Sequence, residues 1–84
     1  MSGVLSTEEI ARRIEDYASS TGNKREAAIY DEWIGIEDFL KDVTSYDEDA
    51  WLDASRQLLD AKTLEQKNAA LERARAVKSD STYD

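Results

Sequence analysis

Between Ile29 and Val43 the large apolar residues fall at spacings of four, three, four and three: Ile29, Trp33, Ile36, Leu40 and Val43. Only a helix of 3.6 residues per turn brings such positions onto one face. A helix with one long apolar stripe cannot shield it alone, so other elements must pack against it. No alternating run of β-branched residues offers a strand for that role. Gly35 lies inside the stripe and costs about 1 kcal/mol relative to alanine. The apolar phase is the same on both sides of it, so the pattern predicts one helix over 24–44, with any bend placed at Gly35.

The partners of this helix are marked by caps. Ser6 followed by Glu9 forms a capping box, with Leu5 and Ile10 at the staple positions around it. Ile10, Ile14 and Tyr17 then share a face, and Gly22 suits a left-handed stop. That predicts a first helix over about 7–19. Asn23 and Glu26 form the corresponding box for the second helix. Asp47 caps the next, with Tyr46 and Trp51 as staple and Glu48 and Asp49 favourably placed at the positive end of the helix dipole. Trp51, Leu52, Ser55, Leu58 and Leu59 give that helix its apolar face.

Continued at about 100° per residue, the same helix would carry Leu64 and Leu71 on its opposite side. That phase jump, with Thr63 and Gln66 as a further capping box, predicts a turn at 61–63. The third and fourth helices then cover about 48–61 and 64–77. The fourth stripe (Leu64, Ala70, Leu71, Ala74, Val77) is thin and predicts the weakest packing. The expected fold is all-α, a small bundle of about four amphipathic helices. A single domain spans 1–78, and 79–84 is read as a flexible C-terminal tail.

What the chain lacks narrows its chemistry. Its 84 residues include no histidine, cysteine or proline. Without histidine or cysteine the usual proton carrier, thiol nucleophile and zinc-thiolate ligands are missing. Gly3, Gly22 and Gly35 are too far apart to cradle a phosphate. Asp47-Glu48-Asp49 opens like a calcium loop, but Trp51 and Leu52 stand where a ligand and a glycine are needed. Ser6, Ser45 and Thr63 are explained as caps. No enzyme, metal or cofactor is therefore expected. The opening residues lack the blocks of a signal peptide, and no apolar run approaches the ~20 residues of a membrane span. A cytoplasmic protein is expected.

The net charge of -8 is unevenly distributed. From Asp31 to Asp53 nine acids face Lys41 alone, while acids and bases balance over the rest of the chain. On the helical wheel Asp31, Asp38 and Asp42 lie opposite Trp33 and Leu40, and Asp49, Asp53 and Asp60 lie opposite Trp51 and Leu58. Two acidic ridges on neighbouring helices are therefore expected. The only basic segment, Arg73, Arg75 and Lys78, is offset by Glu65 and Glu72, so direct binding of nucleic acid is not expected.

The expected function is a non-enzymatic acidic binding protein of the inhibitor, antitoxin-like or regulatory kind. It would dock an acidic helical face on a basic site of a protein partner, such as a nucleic-acid-handling protein. Carboxylates four residues apart are ~6 Å apart along a helix, and B-DNA carries one charge per ~1.7 Å of axis. Two ridges could thus imitate a short run of phosphates. By analogy of class alone, small acidic helical proteins of phage and bacteria include immunity proteins and DNA mimics. The candidate partner-binding residues are Asp31, Asp38, Asp42, Asp49 and Asp53. Tyr30 and Ile34, at the edge of the second apolar arc, mark a contact surface if one monomer cannot cover that arc. They support the competing reading, a structural or assembly subunit that forms a homodimer or packs into a larger complex.

Overall fold

Each helix starts at a side chain that accepts a hydrogen bond from the first turn. Ser6 Oγ accepts from the N–H of Glu9 at 3.2 Å, and Asn23 Oδ1 accepts from Arg25 and Glu26 at 2.9 and 3.2 Å. Asp47 Oδ1 accepts from Ala50 at 3.1 Å, and Thr63 Oγ1 from Gln66 at 3.1 Å. These are the four caps expected from the sequence, and each satisfies a donor that the helix leaves open. The return halves of the boxes differ. Glu9 bonds Arg12, Glu26 turns to Thr21 and Lys67, and Gln66 reaches back to the N–H of Lys62. Leu5, the expected staple at the first cap, lies outside the described residues.

The computed structural model describes residues 6–82 and holds four helices: α1 (Thr7–Ser20), α2 (Lys24–Lys41), α3 (Glu48–Asp60) and α4 (Leu64–Asp80). Of the described residues 81% are helical, and no strand occurs among them. The turn expected at 61–63 is present, with Ala61 as the C-cap of α3 and Thr63 as the N-cap of α4.

Three expectations are corrected. The second helix ends at Lys41, not at 44, because Thr44 and Ser45 are drawn into pairing with Thr82. The N–H and hydroxyl of Thr44 donate to the Thr82 carbonyl at 2.7 and 2.8 Å, and the Thr82 N–H donates to Ser45 at 2.8 Å. The fourth helix runs to Asp80, not 77, and Thr82, within the segment read as tail, forms an isolated antiparallel bridge with Ser45. Gly22 does not adopt a left-handed cap. No glycine among the described residues has positive φ, and α1 stops on an extended Thr21.

Gly35 sits on the exposed side of an unbroken α2, and a Cβ there would meet no atom within 4 Å. It has no packing role that alanine would disturb. Gly35→Ala should therefore stabilise the fold by about 1 kcal/mol, read from chemical denaturation. No gain would mean that the glycine relieves strain the backbone does not display.

α1 packs against α2 and α3, and α4 packs against α2 and α3. The helices consecutive in sequence at the middle of the chain, α2 and α3, thus lie across the bundle from one another, as do α1 and α4. The core forms where the stripes converge. Trp33 and Trp51 are both buried and stack at 5.0 Å with 16° between their planes, bridging the diagonal. The Trp33 indole N–H donates to Ser55 Oγ at 3.3 Å, and that hydroxyl donates to the Trp51 carbonyl at 2.9 Å. Buried polar groups need such partners, which explains a fully covered serine on an apolar face.

The thin stripe of α4 does not make it the weakest element. α3 and α4 form the most extensive of the helix contacts. Ala54 and Ala74 are completely covered, and Ala70, Leu71 and Val77 are buried beside them. Small side chains let helix axes approach closely, so little apolar volume supports a wide contact.

Candidate functional site

The chain direction alternates from helix to helix, and the charge follows that alternation. The starts of α1 and α3 and the ends of α2 and α4 share one end of the molecule. Thr7 and Glu8 line one groove with Leu40, Lys41 and Tyr46, and Thr82 pairs with Ser45. Asp80 lines a second, smaller cavity with Asp47 and Ala50. Glu8, Glu37, Asp38, Asp42, Asp47, Glu48, Asp49 and Asp80 therefore gather at this end, with Lys41, Arg73 and Lys78 as bases among them. The opposite end carries Lys24, Arg25, Lys62 and Lys67 against Glu26, Asp60 and Glu65. The fold converts a charge bias along the sequence into a bias along the molecule.

Asp31, Asp38, Asp42, Asp49 and Asp53 are all exposed, as expected. They do not form adjoining ridges. The core faces of α2 and α3 meet through the indole stack, so the faces opposite them look outward on opposite sides of the bundle. The two ridges cannot together present one continuous strip. Asp38, Asp42 and Asp49 are brought together differently, around the 42–47 connection, whereas Asp31 and Asp53 lie farther along their helices.

The acids at this end are not all there for helix stability. Glu48 and Asp49 occupy the first turn of α3, where the dipole favours them. Asp38 and Asp42 occupy the last turn and C-cap of α2, where the dipole opposes them. Asp38 has a partial compensation in Lys41, at 3.7 Å and largely exposed, which contributes little. Farther up α2, Glu32 is held by Arg75 of α4, with Nη2 to Oε1 at 2.8 Å, and this guanidinium keeps its carboxyl below the usual range. At the far end Lys67 lies against Glu26 and 5.7 Å from the Tyr30 ring centre. Hydrogen bonds from Lys67 and Thr21 lower the Glu26 carboxyl.

Tyr30 does not offer a contact surface: it is buried, with Tyr17 at 6.3 Å. Ile34 is half-buried against the core. Tyr17, expected in the core, is instead the exposed large hydrophobic residue among those described, because it covers Tyr30 from outside.

The residue that sequence reasoning undervalued is Glu37. It falls four positions after Trp33 and three before Leu40, on the core side of α2, and is 9% exposed. The helical wheel carries this signal, although Glu37 also counts among the nine acids from Asp31 to Asp53. It lines a groove of about 510 Å³ with Ala11, Glu15, Leu40, Tyr46 and Trp51. One carboxylate of the charged window thus lies in a cleft and not on a polar face. Burial pushes the Glu37 carboxyl up, Lys41 draws it down, and Glu15 and Asp38 raise it further. Tyr46 is also raised, by burial first and then by Glu48 and Glu37.

A carboxyl with a raised native pKa favours the fold while protonated and loses that contribution as pH climbs through the native value. The ordinary glutamate value is 4.5. Glu37→Gln, which stays neutral, should therefore raise the melting temperature at about pH 7 and lose that advantage at about pH 4. Thermal melts at both pH values check this. An equal gain at both would trace the effect to packing.

Among the described residues, no group of three or more His, Cys, Asp or Glu side chains is placed to hold a metal ion. No helix there is long and apolar enough to cross a membrane. The chain matches no protein-family model, no curated protein and no solved structure.

Proposed function

We propose that the protein is a non-enzymatic, cytoplasmic binding protein whose acidic end docks on a basic site of a protein partner. The observation that carries this is the gathering of acids from three parts of the chain at one end of the bundle. Asp38 and Asp42 stand there against their own helix dipole. Charge held where it does not help folding points to a role outside folding. A concentrated negative field speeds encounter with a positive surface and rejects nucleic acid. The two ridges face apart, so the partner engages the end of the bundle and not a paired strip imitating phosphates. The competing reading, assembly through an apolar face, has less support, because Tyr30 is covered and Ile34 half-covered.

The test is parallel capture from source-cell lysate with tagged wild type and a tagged Asp38→Lys, Asp42→Lys, Asp49→Lys variant. All three positions are exposed, so the variant should keep its helical circular dichroism. Proteins retained by wild type and lost by the variant should carry basic surfaces. With such a partner purified, association should slow about tenfold or more in the variant, and salt should weaken the wild-type complex. A partner bound equally well by both proteins across salt concentrations would sink the acidic-end mechanism.

A further inference from the structure

The groove at the acidic end contains an acid that the fold itself leaves unanswered. Glu37 is nine-tenths buried and lines the groove, yet among the described residues no hydrogen bond or ion pair reaches its carboxylate. No side-chain oxygen among the described residues is sealed from water without a hydrogen-bond partner, so the Glu37 carboxylate is only partly dehydrated and meets water through the groove, at a cost that an arriving partner relieves. Two cations, Arg12 and Lys41, line the same groove, and each also meets another acid. Arg12 is held by Glu9 at 3.2 Å, and Lys41 by Asp38 at 3.7 Å. Glu8 and Glu15 at the rim have no ion pair among the described residues either, so three acids against two bases leave the groove net negative.

We propose that this groove is an anchor site for a basic side chain of the protein partner, an arginine or lysine whose head group reaches Glu37. Its shape and lining suit that occupant. Ala11, Leu40, Tyr46 and Trp51 supply apolar contact for a methylene stem, with the carboxylate among them. Arginine and lysine combine such a stem with a cationic head, and guanidinium matches a carboxylate with two parallel hydrogen bonds. The desolvation of Glu37 is incurred in folding, so an arriving cation meets a partly dehydrated acceptor. A mobile, fully solvated carboxylate on the rim would not offer this.

The proposal rests on the acidic-end reading for the identity of the partner, but its test does not require that partner. The probe is acetyl-Gly-Arg-Gly-amide, with the lysine, norleucine and glutamate peptides of the same frame as comparisons. Titrated into the ¹⁵N-labelled full chain, the arginine peptide should give saturable amide shifts at Leu40, Lys41 and Tyr46 and at the Trp51 indole. An affinity on the order of millimolar is expected for one side chain. The lysine peptide should bind the same site, and the norleucine and glutamate peptides should not.

Glu37→Gln should weaken the arginine peptide about tenfold or more. Ala11→Leu, which narrows the groove and leaves Glu37 in place, should weaken it as well. The Asp38→Lys, Asp42→Lys, Asp49→Lys variant should still show saturable shifts at the groove. Its failure in partner capture is therefore separable from failure of the groove. Shifts spread over the whole acidic end and unaffected by Glu37→Gln, or no saturable shift in wild type, would overturn the proposal.

Discussion

Trp33→Ala should remove most of the stability of this protein. The side chain is buried at the centre of the bundle, stacked on Trp51 and hydrogen-bonded to Ser55. Truncating a buried tryptophan costs about 3–5 kcal/mol, and domains of this kind hold roughly 0.05–0.15 kcal/mol per residue. Two losses add together. The indole volume becomes a cavity at the centre of the bundle, and the stacking contact with Trp51 disappears. Ser55 keeps a partner, because its hydroxyl still donates to the Trp51 carbonyl. Trp33→Phe retains a ring but not the N–H and should cost much less. Urea denaturation of both variants measures the difference. A loss below about 1 kcal/mol for the alanine variant would mean that α2 and α3 are held by their other neighbours and not by the indoles.

Ala74→Leu should be the next most damaging change, although it adds apolar surface. Ala74 is completely covered on α4, which packs against both α2 and α3. A leucine there must push a helix away or adopt a strained rotamer, at about 1–3 kcal/mol. Ala69→Leu on the exposed side of the same helix is the comparison, and it should stay within about 0.5 kcal/mol of wild type. Equal stabilities for the two variants would show that α4 does not pack closely.

Glu37 and Tyr30 show how far side-chain spacing can be taken as a guide to environment. The spacing from Trp33 to Leu40 placed Glu37 on the inner side of α2, so its position was legible. Its environment was not, because the groove is built from α1 and the 42–47 connection as well as α2. Tyr30 is the reverse case. At the edge of an apolar arc it has the sequence signature of a contact residue. It is buried because Tyr17 and Lys67, from α1 and α4, converge on it.

What the sequence by itself determined is local. Ser6, Asn23, Asp47 and Thr63 mark the helix starts, since a cap needs only a side-chain oxygen and the N–H groups two or three residues on. The phase jump between Leu58 and Leu64 marks the break between α3 and α4, since helical periodicity is a property of neighbouring residues. Where α2 ends, which helices touch and which acids share a surface were decided by the tertiary structure. α2 stops early because Thr82, 38 positions away from Thr44, captures the backbone that would have continued it. The acidic ridges face apart because the indoles of Trp33 and Trp51 find each other across the diagonal. The acids still meet at one end because alternating helices bring distant turns together. Such placements depend on packing between elements far apart in the chain, and no periodicity within one element encodes them.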